Sequence, residues 1–272
     1  MPTDIALQND DDLLERLAAP ERPLLALKTV VIVAHPDVVI VAHPDEETLG
    51  CGALLPRLSD VSIVHVTDGA PRAPDDARRH GFGHWAEYAR ARRLELEGAA
   101  TIAGVPRPSL RSLGLPDQGA ALGLASLTRT LLGFIAGAGL VLTHAFEGGH
   151  PDHDAIAFAV AAARGRMRGR GPAVIEMPLY RRPEPGEGVV RLRLTPDERA
   201  RKARMLAAFV TQQEALMAFG VRDEVYRLAP EHDFTRPPGD VLYDRFDWGI
   251  TGGRFAQLAR VARGELGLDA RA

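Results

Sequence analysis

The sequence predicts an α/β fold, with a Rossmann-like, mostly parallel sheet and helices on both faces of that sheet. Short apolar runs rich in valine and isoleucine, such as residues 38–42, alternate with helical segments along the chain, which is the pattern of repeated βαβ units. Two of the predicted strands lead into a His-Pro-Asp sequence. Because ligands bind at the carboxyl ends of strands in open parallel sheets, both sequences are candidate functional segments.

Apolar periodicity, prolines and glycines place the elements in order. An amphipathic helix is expected within residues 13–25, before a strand at 38–42. The next segments are a helix at 48–57, a strand at 61–67, a loop at 70–83, a helix at 84–103, a strand at 109–113, a helix at 123–136, a strand at 140–143, a helix at 155–164 and a strand at 173–177. An edge strand at 189–194, a helix from the capping box at Thr195 to residue 219, a strand at 224–228 and a loop-like tail at 230–253 follow.

We expect three regions in the chain. They are an N-terminal extension over residues 1–28, a core over residues 29–180, and a C-terminal extension over residues 181–272 that packs on the core. The length of 272 residues suits one core with an extension. Residues 181–188 are polar and contain two prolines, which favours a boundary after the fifth strand of the core.

Composition excludes several functional classes. Hydrophobic content of 46%, charged content of 25% and a net charge of −3 are those of an ordinary soluble protein, so nucleic acid is not an expected partner. The start of the sequence lacks the pattern of a signal peptide and no stretch is long enough to cross a bilayer, which predicts a cytoplasmic protein. The single cysteine, Cys51, is expected to be a packing residue, so a metal must be held by histidine and carboxylate groups.

An eight-residue sequence occurs twice in tandem, as residues 30–37 and again as residues 38–45. A repeat this short is a local duplication and not the repeat of a solenoid. Only one copy can occupy the central strand. The second copy continues into an acidic turn and a helix start, so we assign the site to His43 and Asp45 and regard His35 and Asp37 as the spare set.

The two His-Pro-Asp sequences suggest a metal site. His43 and Glu46 are three residues apart on one turn, and His150 and His153 have the same spacing on the other. Side chains from two such turns can converge on one cation, which leaves Asp45 as a candidate base. Structural roles stay open: the acidic residues of the first turn suit a helix N-terminus, and the two later histidines suit helix capping and the surface.

The sequence resembles the metal-dependent deacetylases of the phosphatidylinositol-glycan class L (PIG-L) or LmbE-like family over about its first two-thirds. The resemblance rests on five motifs: Ala42-His-Pro-Asp-Glu-Glu47, Thr67-Asp-Gly69, Arg92-x-x-Glu95, Leu115-Pro-Asp117 and His150-Pro-Asp-His153. No Gly-x-Gly-x-x-Gly sequence follows the first strand, which argues against a nucleotide-binding Rossmann protein.

The resemblance implies roles for seven residues. Zinc, or another divalent cation, would be held by His43, Glu46 and His153. Asp45 corresponds to the general base that activates water, and His150 to the residue that steadies the oxyanion or protonates the leaving amine. Arg92 and Asp117 correspond to positions associated with sugar binding.

The implied activity is zinc-dependent amide hydrolysis that removes acetyl from an N-acetylglucosamine-like sugar or glycoconjugate. Two other functions stay open: a hydrolase of another amide, and a catalytically inactive metal-binding or sugar-binding protein. The second is suggested by the tandem copy and by Glu46, because the family usually has aspartate there and glutamate adds one methylene, so that this ligand must fold back or bind with a different denticity. The sequence leaves the acylated substrate, the native metal and homo-oligomer formation undecided.

Overall fold

The computed structural model describes residues 36–58, 60–167, 169, 171–181, 183–184 and 188–269. Seven strands form one sheet in the order β3-β2-β1-β4-β5-β7-β6. The strands are β1 Asp37–Val41, β2 Ser62–Pro71, β3 Leu110–Asp117, β4 Leu140–His144, β5 Ala173–Met177, β6 Val189–Arg193 and β7 Asp223–Leu228. The pairs among β1 to β5 are parallel, and β7 and β6 add an antiparallel edge.

Helices connect the strands and cover the sheet. The described α-helices are α1 Glu46–Cys51, α2 Pro74–Arg79, α3 Trp85–Ala103, α4 Leu124–Ile135, α5 Pro151–Arg166, α6 Pro196–Ala207, α7 Gln213–Leu216 and α8 Gly252–Leu266. Short 3-10 turns occur at Leu55–Arg57, Arg107–Ser109, Ala120–Gly123, Val210–Gln212 and Leu242–Arg245. None of the described helices combines the length and apolar character that a membrane span requires.

Strand β1 explains why the core lies on both sides of the sheet. Val38 and Ile40 pack into one apolar cluster with α4, α5 and α8, whereas Val39 and Val41 pack into the opposite cluster with α3 and α6. Successive side chains of a strand point to opposite faces, so a continuous apolar run is what a strand buried on both faces needs. The predicted fold class is therefore confirmed.

The sheet order also creates the crevice that binds ligands in such folds. Strands β2 and β3 follow on one side of β1, whereas β4 pairs with its other side. The strand order reverses between β1 and β4, and this switch point opens a crevice at the carboxyl ends of the two strands. Both His-Pro-Asp turns follow these two strands. The second copy of the duplicated sequence occupies β1 and its turn, whereas His35 lies outside the described residues.

Several boundaries differ from the sequence predictions. The helix expected to reach residue 57 ends at Cys51, before a 3-10 turn that contains Pro56. The expected loop at 70–83 contains α2, which begins at Pro74, a favoured first helical residue, and carries two acidic residues in its first turn. The helix expected to reach residue 219 ends at Ala207, and β3 continues to Asp117 through register shifts against β2.

The last helix, α8, was not predicted. It is capped by Thr251, whose hydroxyl accepts the backbone N–H of Arg254, and it begins with two glycines that weaken the local helical signal. Packing of Phe255 and Ala259 into the α4 and α5 side of the core stabilises it instead. The helix expected within residues 13–25 lies outside the described residues. The three proposed regions stay a prediction.

A buried ion pair attaches the C-terminal region to α1. The Lys202 ammonium of α6 donates to the backbone carbonyl of Leu49 and to Glu224, at 2.7 Å in each case. Glu224 also accepts the backbone N–H of Ala53 and the hydroxyl of Tyr226. Both charged side chains are fully buried. Each charge has hydrogen-bonding partners, which offsets much of the cost of removing it from water.

We expect Lys202→Met to lower the free energy of unfolding by about 3–5 kcal/mol, because Glu224 would remain buried without its counter-ion. Urea denaturation of the variant and the wild-type protein measures the difference. Arg191→Met is the matched control, because Arg191 pairs with Asp223 at the surface and such pairs contribute about 0–1 kcal/mol. Similar losses in the two variants would contradict the structural role of Lys202.

Candidate metal centre and active site

The turns after β1 and β4 bring the predicted site residues together. The ring nitrogens of His43 face two carboxylates: Nδ1 lies 2.9 Å from Glu46 Oε1, and Nε2 lies 2.9 Å from Asp117 Oδ1. The centroid of the His43 ring lies 4.6 Å from that of the His150 ring and 5.7 Å from that of the His153 ring. All five side chains therefore line one buried centre at the switch point.

Glu46 reaches this centre by folding back over its own turn. Its Oε2 accepts the backbone N–H of His43 at 2.8 Å, and its Oε1 is in close contact with His153 Nε2. The extra methylene of glutamate is accommodated in this way, so the carboxylate lies between the two histidines. Burial disfavours charge on Glu46, but the neighbouring rings of His153, His43 and His144 outweigh it and hold the pKa of Glu46 well below its usual range.

His144 completes this arrangement from the end of β4. Its Nε2 accepts the backbone N–H of Ala42 at 3.0 Å and also lies 3.0 Å from Glu46 Oε2. One ring nitrogen cannot both accept a proton from Ala42 and donate one to Glu46, so only one of these two contacts is a hydrogen bond at a time.

Three overlapping groups of side chains have donor atoms close enough to bind a single cation. Their members are His43, His150 and His153; His43, Asp117, His150 and Asp152; and Glu46, His144 and His153. Each predicted ligand belongs to at least one group. Imidazole nitrogens with carboxylate oxygens are the donor set of zinc and related divalent cations, so the chemistry of the site fits such an ion.

The protonation of the histidines bears on this fit. Burial lowers the pKa of His150 to about 3 and that of His153 to about 4, which leaves both rings neutral, as metal ligands must be. Burial also disfavours charge on His43, but Asp117 and Glu46 raise its pKa well above the ordinary value. His43 must therefore lose a proton when it binds a cation.

Asp45 stands in a strained backbone conformation at the start of α1. Its φ of 129° lies in a region that residues with a side chain rarely adopt. Asp45 donates its backbone N–H to the buried carboxylate of Glu47, which also faces His65 Nε2 at 2.9 Å. The Asp45 side chain makes no capping bond to the helix. Backbone strain that buried partners maintain is typical of functional sites. In this conformation the Asp45 carboxylate does not cap the helix.

Arg92 fixes the Asp45 carboxylate from α3. The guanidinium donates to Asp45 Oδ2 at 3.0 Å and to the backbone carbonyls of Pro44 and Gly69. Burial raises the pKa of Asp45 to about 8, while Arg92 acts in the opposite direction. Burial therefore increases the proton affinity of this carboxylate, which suits a group that takes up a proton and returns it. Arg92 itself is buried, so its contacts are those of a residue that positions Asp45.

Asp117 and His150 form the other side of the centre. His150 caps α5 through Nδ1, which accepts the backbone N–H of Asp152 at 3.2 Å. The neutral ring therefore carries its proton on Nε2, which lies 3.7 Å from Asp117 Oδ1. Burial disfavours charge on Asp117, but His43 holds its pKa well below the usual range. The helix-capping role considered for His150 is real and leaves a donor directed at the site.

Sequence reasoning missed several residues that contact the centre. His144 ends a predicted strand, and that position was the signal available for it. Asp152, inside the second motif, accepts the backbone N–H groups of Gln118 and Ala120. Tyr180 lies 5.4 Å from His153, and Trp248 lies 4.8 Å from His150, ring to ring. These aromatic residues are distant in sequence, so no local pattern could place them here.

Residues 38–164 match the family model PIG-L, described as GlcNAc-PI de-N-acetylase. Among curated proteins, no sequence matches this chain significantly.

Solved structures with the same fold include several deacetylases. The pseudoaglycone deacetylase Dbv21 of an antimicrobial reagent is 21% identical with a TM-score of 0.56, over 73% of this chain and 100% of its own. A deacetylase of the teicoplanin biosynthesis pathway is 19% identical with a TM-score of 0.57, over 70% and 96%. N,N'-diacetylchitobiose deacetylase from Pyrococcus horikoshii is 18% identical with a TM-score of 0.53, over 82% and 94%. At these identities the likeness shows the fold.

Proposed function

We propose that the protein is a zinc-dependent deacetylase of acetamido sugars, a proposal supported by the match of residues 38–164 to the PIG-L family model. The substrate class is an N-acetylglucosamine-like sugar or glycoconjugate, and the reaction is hydrolysis of its linear amide. The observation that carries the proposal is the convergence of both His-Pro-Asp turns on one buried centre, beside the Asp45 carboxylate that Arg92 orients. Hydrolysis of another amide is the nearest alternative.

The side chains proposed to hold the cation are His43, Glu46 and His153. A bound divalent cation would supply a Lewis acid that polarises the acyl oxygen and lowers the pKa of water. One structure of similar fold is a zinc-inhibited form of a teicoplanin deacetylase, so zinc can inhibit a protein of this fold. Zinc therefore needs to be compared with other divalent cations in any assay.

The chain's own residues account for the remaining chemistry. Asp45, oriented by Arg92, accepts a proton from the attacking water and returns it to the nitrogen of the leaving amine. His150 presents its Nε2–H to the oxygen that becomes negative when the amide carbon turns tetrahedral. Asp117, opposite His150, accepts from a sugar hydroxyl or orients the histidines. The cytoplasmic location stays a prediction from the sequence.

The test combines metal analysis with a screen for amine release. We expect the purified protein to bind about one divalent cation per chain and to release free amine and acetate from at least one acetamido sugar. Reconstitution with zinc, iron, cobalt and nickel ions in turn identifies the active metal. Tight metal binding without turnover on any acetamido sugar would instead support a catalytically inactive sugar-binding protein. Turnover restricted to amides that lack a sugar would support the other amide hydrolase.

A further inference from the structure

Two aromatic side chains of the C-terminal region form a stacked pair beside the site. The rings of Phe246 and Trp248 are stacked at 4.6 Å with an interplanar angle of 12°. Trp248 also contacts the His150 ring, at 4.8 Å and 45°. Phe246 is 47% exposed, and Trp248 is half-buried with part of its ring against the core. The pair therefore extends from the centre toward solvent.

The loop that carries the pair is held against the site by buried hydrogen bonds. The backbone N–H of Leu242 donates to the carbonyl of Gly148 at 2.7 Å, and the Tyr243 hydroxyl donates to Asp154 at 3.0 Å. Asp154 in turn accepts the backbone N–H groups of Glu147 and Gly148. These hydrogen bonds hold the start of the loop that carries the two rings against the segment that leads into His150.

The position of the pair indicates which half of a substrate it meets. His150 faces the reacting amide in the proposed reaction, and Trp248 lies directly against the His150 ring. A group stacked on the pair is therefore a substituent on the substrate and not the small acetyl group. The face of the Phe246 ring that Trp248 leaves uncovered is flat and apolar, so it can continue the stack and suits another flat ring better than a flexible chain.

We propose that Phe246 and Trp248 form a stacking subsite for an aromatic ring carried by the amine half of the substrate. This inference rests on the proposed function for the identity of the sugar. The substrate class is then an acetamido sugar joined to an aromatic aglycone, and not the free monosaccharide.

Binding can be measured separately from catalysis because the chain contains two tryptophans, Trp85 and Trp248. In the Trp85→Phe variant, fluorescence reports on Trp248 alone. Titration uses phenyl and octyl 2-acetamido-2-deoxy-β-glucosides and free N-acetylglucosamine, in an Asp45→Asn background that prevents turnover. We expect the phenyl glycoside to change the emission and to bind about tenfold more tightly than the free sugar, since ring stacking adds to apolar burial. Tighter binding of the octyl than of the phenyl glycoside would overturn the assignment to a ring.

Kinetics on the otherwise wild-type protein provide the second test. Trp248→Ala and Phe246→Ala should each lower the preference for the phenyl glycoside over free N-acetylglucosamine, measured as a ratio of kcat/KM, by about tenfold, while Trp248→Phe retains most of it. Met217→Ala, a truncation of a highly exposed apolar side chain just after α7, is the matched control and should keep the ratio. An unchanged ratio in both alanine variants would overturn the subsite.

Failure of the proposed function gives a different result from failure of the subsite. If no acetamido sugar releases amine but the phenyl glycoside still binds preferentially at Trp248, the subsite stands and the deacetylase proposal falls. If amine is released equally well from phenyl and free sugars and the emission of Trp248 does not respond, the deacetylase stands and the subsite falls.

Discussion

Asp45→Asn is expected to lower kcat by about 10²–10⁴-fold while the protein retains its metal, because a carboxamide cannot accept a proton from water. The amide oxygen can still accept from Arg92, which lies 3.0 Å from Asp45 Oδ2, so the turn should keep its geometry. Steady-state kinetics on the substrate found by the amine-release screen, together with metal analysis of the same preparation, measure both quantities.

A helix-capping role for Asp45 makes a different prediction. Loss of a capping carboxylate costs roughly 1 kcal/mol of stability and changes turnover little. The structure already weakens that alternative, because the Asp45 side chain makes no capping bond to α1. Glu176→Gln is the matched control, since Glu176 is a buried carboxylate paired with Arg227 and His232 away from the centre. A near-normal kcat in Asp45→Asn would exclude Asp45 as the base.

The parts of the fold that local sequence determines were predictable. Strand β1 reads as a run of apolar residues because both faces of the strand are covered, and the capping box at Thr195 marks the start of α6 in the sequence and in the structure. The two His-Pro-Asp turns were found for the same reason, since strand, turn and helix start are adjacent in the chain. Their meeting at the switch point follows from the parallel sheet.

Features that depend on distant contacts could not be predicted in this way. The helix α8 has a weak local signal and forms because its apolar face packs on α4 and α5. The backbone conformation of Asp45 depends on Glu47, His65 and Arg92, which come from three different elements. Tyr180 and Trp248 reach the centre only through the folding of the chain beyond β5. The roles of the predicted site residues themselves stay predictions until variants are measured.

His153→Ala is expected to abolish metal binding. The structure makes this substitution the most informative single change at the centre. His153 is buried, neutral at physiological pH because burial lowers its pKa, and belongs to two of the three groups that can hold a cation. Removing it leaves His43 and Glu46 without their partner from the second turn. The number of bound metal ions per chain, measured by metal analysis, should therefore fall from about one to near zero, since a catalytic zinc site needs three protein ligands.

A thermodynamic measurement reports the same loss without any substrate. Zinc at about 1,000 times its dissociation constant should stabilise the wild-type protein by about 4 kcal/mol, and the His153→Ala variant should show almost none of this gain in denaturation experiments. His232→Ala is the matched control, because His232 pairs with Glu176 outside the centre. His35→Ala, in the first copy of the duplicated sequence, should likewise bind zinc normally. Stoichiometric zinc in His153→Ala, or its loss in His35→Ala, would show that the cation is held by a different set of residues.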